Sequence, residues 1–313
     1  MSAFWVRESS AADGPAIRGL LASVFGQEFS EDEWRWKYAL DPDGWFGTVG
    51  VLGERIVGHY AGWGMGLLVD GEPRRIFAIG DVATDPSARS LGGKSGVFKE
   101  MTAAFYARVA GEVPFCFGFP NARALAVSHR FALTRTLLPI ELLVISVESF
   151  GPAPADAAAG DAVDETFDPL WEAARRVRTT GLIRDRARVN WRFHARPSRY
   201  YRMVWRASGT GMTAWAVLSV VGEEAVVADY LGCEADGRDL RPLFAAAAEE
   251  ARRLGARRLV FWSSPGPGQA LLASLPGERR AAGFPMIVRV FDEAAVRTFA
   301  ERGLLVPSLY DLV

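Results

Sequence analysis

The chain has only three lysines, Lys37, Lys94 and Lys99, among 36 basic residues. Its positive charge is almost all arginine, a compositional bias without functional content. It also lacks charge of one sign. Thirty-six Lys and Arg face 37 Asp and Glu, for a net charge of -1, which argues against nucleic-acid binding through bulk charge. The two cysteines, Cys116 and Cys233, exclude a disulfide scaffold or a cysteine metal cluster, and both read as small buried hydrophobes. The three histidines, His59, His129 and His194, stand in distant elements, so no metal site is expected. No apolar run approaches the ~18–20 residues of a membrane span. The longest, LLPIELLVIS, is interrupted by Pro139 and Glu141. The start MSAFWVRESS has no basic residues leading into an apolar stretch. These absences predict a cytoplasmic protein with neither membrane nor nucleic acid as partner.

Half of the 313 residues are hydrophobic and 23% are charged, enough apolar material for one large core or two smaller ones. One stretch breaks the pattern. Residues 149–164, SFGPAPADAAAGDAVD, are rich in Ala, Gly, Pro and Asp and read as a linker. The expected division is therefore a domain over 1–148, a linker over 149–164 and a second domain over 165–313.

The first half alternates strands and helices. A strand is expected at Phe4–Glu8, then a helix at Asp13–Phe25, with Asp13 as its cap and Pro15 in its first turn. A second helix is expected at Ser30–Leu40, where Ser30 and Glu33 make a capping-box pattern. Strands follow at Thr48–Leu52, Arg55–Met65, Gly66–Val69 and Arg74–Thr84, with turns at Gly53-Glu54 and Asp70-Gly71. Helices at Val97–Ala110 and Arg123–Leu133 alternate with strands at Pro114–Phe119 and Leu137–Val147. The second half repeats this order loosely: helices at Asp168–Arg178 and Asp185–Phe193, three strands between Tyr200 and Leu231, a helix at Leu240–Leu254, and a strand at Arg258–Ser263. A short helix at Gly268–Leu275 and a strand at Met286–Phe291 complete it. The repeat is one of element order, not of residues.

The chemistry concentrates in IFAIGDVATDPSARSLGGKSGVFKEM, Ile76–Met101. An apolar strand ends at Thr84, a basic, glycine-rich loop follows, and a helix begins. Such a junction suits a phosphate: glycines admit close backbone approach, the first helical N–H groups lack partners, and the helix dipole favours an anion. Arg89 and Lys94 add charge. Ala88–Ser95, ARSLGGKS, is a relaxed phosphate-loop pattern with Ala in place of the first Gly. A nucleotide hydrolase or kinase is thus one alternative, with Asp229 at the end of AVVAD as the acid that would accompany it.

The same run resembles the acyl-CoA motif of the GNAT acyltransferase superfamily. In that motif a strand ending in V-x-T/V-x-P is followed by Arg or Gln, glycines and a helix. The resemblance extends over nearly the whole chain. FGFPN, Phe117–Asn121, is similar to a GFPN segment of a bacterial branch, and WRFHARPSRYY, Trp191–Tyr201, is similar to a segment of its tandem members. The resemblance implies an α/β (α+β) fold of two GNAT-like domains in tandem, with mixed, mostly antiparallel sheets flanked by helices. It implies acetyl-CoA as co-substrate, no metal, and a small-molecule or peptide amine as acceptor; pairing with a second copy of the chain stays open. It assigns CoA binding to Val82, Ala83, Thr84, Arg89, Gly92, Gly93, Lys94, Ser95, Gly96 and Asn121. Lys94 stands where the motif has its second small residue, a place Gly96 takes if the loop carries an insertion. After AVVADYL the second half has acidic Glu234, Asp236 and Asp239 instead of a basic loop, and it is read as a degenerate domain without a CoA site.

Acyl transfer to an amine needs a proton acceptor for the amine, an N–H donor for the thioester carbonyl and a proton for the departing thiolate. A backbone amide near Val82–Thr84 is the implied donor. Asp81, on an otherwise apolar strand, is the first candidate for the base, and Glu141 the second. The family's usual tyrosine is missing from the helix after FGFPN; Ser128 and His129 stand there and are the candidates for the acid. The aromatic residues Trp34, Trp36, Tyr38, Trp45, Phe46, Tyr60 and Trp63 read as core, with any surplus lining an acceptor pocket. A non-catalytic CoA-binding module is the further alternative.

Overall fold

The computed structural model describes residues 4–89, 96–209, 211–234, 237–263 and 270–303. Along the chain run β1 (Phe4–Glu8), α1 (Gly14–Phe25), α2 (Glu31–Trp34), β2 (Trp45–Leu52), β3 (Arg55–Val69), β4 (Glu72–Thr84), α3 (Val97–Val109), β5 (Phe115–Gly118), α4 (Ala122–Phe131) and β6 (Arg135–Leu138). Then come β7 (Glu141–Ser146), β8 (Ala157–Gly160), α5 (Asp168–Val177), β9 (Gly181–Leu182), α6 (Arg186–Val189), β10 (Arg202–Ser208), β11 (Gly211–Val221) and β12 (Glu224–Gly232). The chain continues through α7 (Leu240–Arg253), β13 (Arg258–Ser263), α8 (Ala270–Ala273), β14 (Glu278–Ala281), β15 (Met286–Val290) and α9 (Glu293–Arg302). A π-helical turn extends α2 over Arg35–Ala39, and another extends α6 over Asn190–His194.

The strands form two sheets of one design. The first runs β1-β2-β3-β4-β5-β15-β6, and β9 pairs with Leu67 and Leu68 at the far end of β3. The second runs β14-β7-β13-β12-β11-β10-β8. In the first sheet β4 pairs with β5 in parallel and in the second β12 pairs with β13 in parallel, and β5 and β13 each have an antiparallel partner on the other side. Each also takes a strand from the other half of the sequence. β15 pairs with β5 in the first sheet, and β7 pairs with β13 in the second.

The compact units follow this exchange. One comprises the described residues up to Gly66, Arg74–Leu137 and Met286–Val296; the other comprises Leu67–Pro73, Leu138–Pro285 and the described residues from Arg297 onward. This differs from a single cut through residues 149–164. The expected strand Leu137–Val147 breaks at Pro139 and Ile140, and its two pieces serve different sheets. The expected linker contains β8, which pairs with β10. Its small residues suit an edge beside Trp205, whose ring lies where a side chain on Gly160 would have to go.

In the first unit α3 presents Val97, Met101, Phe105 and Val109, four residues apart, to Val57, Tyr60, Phe77 and Cys116. A side chain on Gly58 would meet the Met101 methyl at 2.7 Å, so glycine there lets the helix approach. On another core, Ile17, Leu20 and Leu21 of α1 bury against Val49, Val51 and Ala83. Asp13 does not cap α1 with its side chain. Its carboxylate accepts from the Ser10 amide at 2.8 Å and from Arg7 at 2.7 Å, and these bonds, led by Arg7, hold its pKa down at about 2. In the second unit Phe167, Leu170, Trp171 and Ala174 bury against Met203, Trp215 and Val217.

Residues 1–148 expressed alone lack β15, which leaves β5 unpaired on one side. Near-UV circular dichroism across a urea titration is expected to show no cooperative transition for this fragment, where the whole chain gives one. A sharp transition in the fragment would mean that the borrowed strand is dispensable.

Candidate active site

β4 positions the site. Its parallel register with β5 runs over Phe77↔Cys116 and Ala78↔Phe117, yet β4 itself continues to Thr84. At Ile79 the strands are still close: a side chain on Gly118 would lie 3.4 Å from the Ile79 carbonyl oxygen. Two residues later Asp81 adopts a left-handed backbone, with φ of 51°. A non-glycine residue in that region costs about 1–3 kcal/mol and persists only where its surroundings hold it.

Three side chains hold it. Lys37 Nζ lies 2.8 Å from Asp81 Oδ2, and the two side chains are 6% and 10% exposed. The Tyr38 hydroxyl donates to the same oxygen. His59 Nδ1 lies 2.8 Å from the Asp81 carbonyl oxygen. Lys37 and Tyr38 come from the π-helical turn after α2, and His59 comes from β3. Ser30 starts that helix by accepting from the Glu33 amide at 3.1 Å. Aromatic rings enclose the cluster. Lys37 Nζ sits 4.2 Å from the centre of the Trp63 ring, and Tyr38 stacks on Trp34 at 4.1 Å and meets Trp45 edge-on at 4.9 Å. The cation is thus solvated by a carboxylate and a π face instead of water.

His59 is fully buried, and burial pushes its pKa below the ordinary 6.5. The Asp81 charge and carbonyl oppose this shift, Lys37 adds to it, and Asp13 opposes it more weakly. Only a protonated Nδ1 can bond a carbonyl oxygen, so the neutral ring carries its proton there. Nε2 is then an acceptor, and it is buried with no hydrogen-bond partner among the described residues; the Trp63 indole N–H is likewise without one.

The other expected residues fall around this cluster unevenly. Val82 leans on the α3 core, Ala83 is buried with α1, and the Thr84 carbonyl accepts from Arg89 Nε at 3.2 Å. Arg89 is exposed. Gly96 precedes α3 and supplies no side-chain cap, whereas Asn121 caps α4 by accepting from the Ala124 amide at 3.0 Å. Gly92, Gly93, Lys94 and Ser95 lie outside the described residues. His129 is exposed on α4 and Ser128 half-buried; among the described residues no hydrogen bond links either to Asp81. Glu141 opens β7 in the second sheet, in the other unit from Asp81. Among the described residues no group of three or more His, Cys, Asp or Glu could hold a metal, and no helix is long and apolar enough to cross a membrane.

Lys37 and His59 were not singled out for this site by sequence. One signal for Lys37 was present: a rare lysine set between Trp36 and Tyr38 on a helix.

The second unit has a parallel arrangement that is already filled. Asp229 of β12 is held by Arg184 Nε at 2.9 and 3.0 Å to its two oxygens, with both side chains buried. It is therefore committed to an ion pair and not presented as the acid of a phosphate loop. Just past β12, Asp239 Oδ2 accepts from the Cys233 amide at 2.6 Å and the Glu234 amide at 3.2 Å.

Replacing Lys37 with Met leaves Asp81 as an uncompensated buried charge. The expected loss is about 3–5 kcal/mol in urea unfolding, largely recovered when Asp81→Asn is added. His59 gives the stability a pH dependence. The unfolded chain protonates this residue near 6.5 and the folded chain only at lower pH, so its contribution is complete above 6.5 and is lost as pH falls. Urea midpoints measured on both sides of pH 6.5 are expected to drop on the acid side by less in His59→Asn than in the unaltered chain.

Residues 6–131 match the family model described as an acetyltransferase (GNAT) domain. No curated protein matches the chain by sequence. Solved structures similar to it include a probable N-acyltransferase from Enterococcus faecalis V583, with a TM-score of 0.69 at 12% identity over 96% of this chain and 75% of that one. A GCN5-related N-acetyltransferase from Anabaena variabilis gives 0.69 at 13% identity, covering 94% and 74%. Another from Kribbella flavida gives 0.68 at 14%, covering 94% and 72%. At these identities the likeness is one of fold, and it takes in both sheets. The matched segment, residues 6–131, contains the left-handed Asp81 and the end of the β4–β5 pairing, and it is similar to a GNAT acetyltransferase domain.

Proposed function

We propose that the chain transfers an acyl group, acetyl in the first instance, from CoA directly to an amine. The observation that carries this reading is the early end of the β4–β5 pairing, followed by a strained residue in β4, inside the GNAT-matched segment. Strands that stop pairing leave backbone N–H and C=O groups for a ligand. The thioester arm would lie along Val82–Thr84, and the pyrophosphate would meet Arg89 and the start of α3, whose N-cap residue is Gly96 and so offers no side-chain cap. Asn121 already caps α4, which leaves its amide N–H₂ for the cofactor.

Asp81 Oδ2 is shared between Lys37 and Tyr38. That favours an electrostatic and orienting role over that of a free base. His129, exposed on α4 with Ser128 beside it, is retained as the proton donor to the departing thiolate. In the second domain the Asp239 carboxylate occupies two backbone amides after β12, and this supports one CoA site per chain.

Isothermal titration with acetyl-CoA, and with ATP and Mg²⁺ in parallel, tests the reading. One acetyl-CoA per chain and thiol release with a panel of amines are expected. ATP binding alone would favour the nucleotide alternative, acetyl-CoA binding without turnover a non-catalytic module, and two sites per chain would remove the silent role of the second domain.

A further inference from the structure

The strained Asp81 has an acidic side chain held by two donors and a carbonyl held by a third, and the third has a consequence for catalysis. Asp81 O belongs to the Asp81–Val82 peptide. In a planar trans peptide the C=O and the N–H point in opposite directions. The 2.8 Å contact from His59 Nδ1 therefore orients the Val82 N–H, turning it away from His59. The left-handed φ of Asp81 is what takes this peptide out of the regular alternation of the strand.

We propose that His59 is a positioning residue for acyl transfer: by holding the Asp81 carbonyl oxygen it fixes the Asp81–Val82 peptide so that the Val82 N–H is presented to the carbonyl oxygen of the bound thioester. This rests on the acyl-CoA reading of the site given above. Three features suit His59 to this task. It is fully buried on β3, so its ring is held by packing. Trp34 and Tyr38 flank it, with ring centres at 6.1 and 6.4 Å. The groups that act on its charge are Asp81 and Asp13 on one side and Lys37 on the other, and burial outweighs them in favour of the neutral ring. A neutral N–H donor sets the peptide's geometry without placing a further charge in a buried site, where an imidazolium would be costly to desolvate. The step it serves moves no proton to or from His59. The amine attacks the thioester carbon and the carbonyl oxygen gains negative charge beside the Val82 N–H; the nitrogen then gives up a proton, the C–S bond breaks, and the departing thiolate takes up a proton, giving the amide and the CoA thiol.

The test uses the full chain and acetyl-CoA labelled with ¹³C at the carbonyl. Isotope-edited infrared spectroscopy reads the thioester carbonyl stretch directly, and titration calorimetry reads binding. In the unaltered protein the bound band is expected below its position in free solution. His59→Leu, which removes the Nδ1 donor, is expected to bind acetyl-CoA but return the band to the free position. With an active amine acceptor, kcat is expected to fall on the order of 100-fold, the scale for one oxyanion donor. His59→Asn is the rescue variant: its Nδ2 stands close to where Nδ1 stands in histidine, so it is expected to keep most of the shift. An unshifted band in the unaltered protein, a full shift in His59→Leu, or loss in His59→Asn as complete as in His59→Leu would each overturn the proposal. The last result would point to Nε2, and hence to a proton-transfer role. Failure of the unaltered protein to bind acetyl-CoA would overturn the acyl-CoA reading itself, and this proposal with it. Should His59→Leu fail to fold, His59→Phe, which also lacks the Nδ1 donor and keeps a buried ring, takes its place in the same comparison.

Discussion

The ion pair between Lys37 and Asp81 is the contact on which the first unit's site depends. Two opposite charges, both nearly removed from water, are tolerable only when they meet each other and further polar partners. Tyr38 supplies one partner and the Trp63 face another. The pair ties the helix after Ser30 to the last turn of β4, and the backbone strain at Asp81 is held by that tie. His59 then acts on the same residue from the neighbouring strand. A helix, two strands and a set of aromatic rings converge on one residue whose peptide precedes the segment proposed to bind the thioester.

The second unit repeats the device with other residues. A buried carboxylate on β12 meets an arginine, and the amides beyond the strand meet Asp239. The acidic residue that closes this position is supplied by the chain itself, so the local demand of the N–H groups for an anion is met without a ligand. One architecture thus appears once with the amides after its parallel strand followed by a basic loop, and once with them satisfied internally. The exchange of β7 and β15 gives each sheet an antiparallel neighbour for its parallel strand, β13 and β5 respectively. Neither half of the sequence completes its own sheet.

Much of this was legible before the structure. Alternation and turn residues located β1, β2, β4 and β5, whereas β3, expected as the two strands Arg55–Met65 and Gly66–Val69, is a single strand; the spacing of Val97, Met101, Phe105 and Val109 marked α3. Such periodicities are local and survive in the sequence because each element must bury one face. The loop after Thr84 was readable because glycines, basic residues and a helix start occur together within a few positions. Asp81 was readable as an unusual carboxylate on an apolar strand. Its strain was not, because a positive φ at a non-glycine residue is imposed by partners far along the chain. Lys37 and His59 escaped for the same reason: they lie 44 and 22 residues from Asp81, and nothing local marks either as its partner.

Element order, the family resemblance of the first half, the basic junction before α3 and the acidic one before α7 are written in short stretches of the chain, since each depends on residues close together in it. Tertiary structure alone decided which strands complete which sheet, that the small-residue segment at 149–164 contains an edge strand, and that one lysine, one tyrosine and one histidine meet at Asp81. Strand partners and buried charge partners are chosen by long-range packing and desolvation, which no short window of residues records.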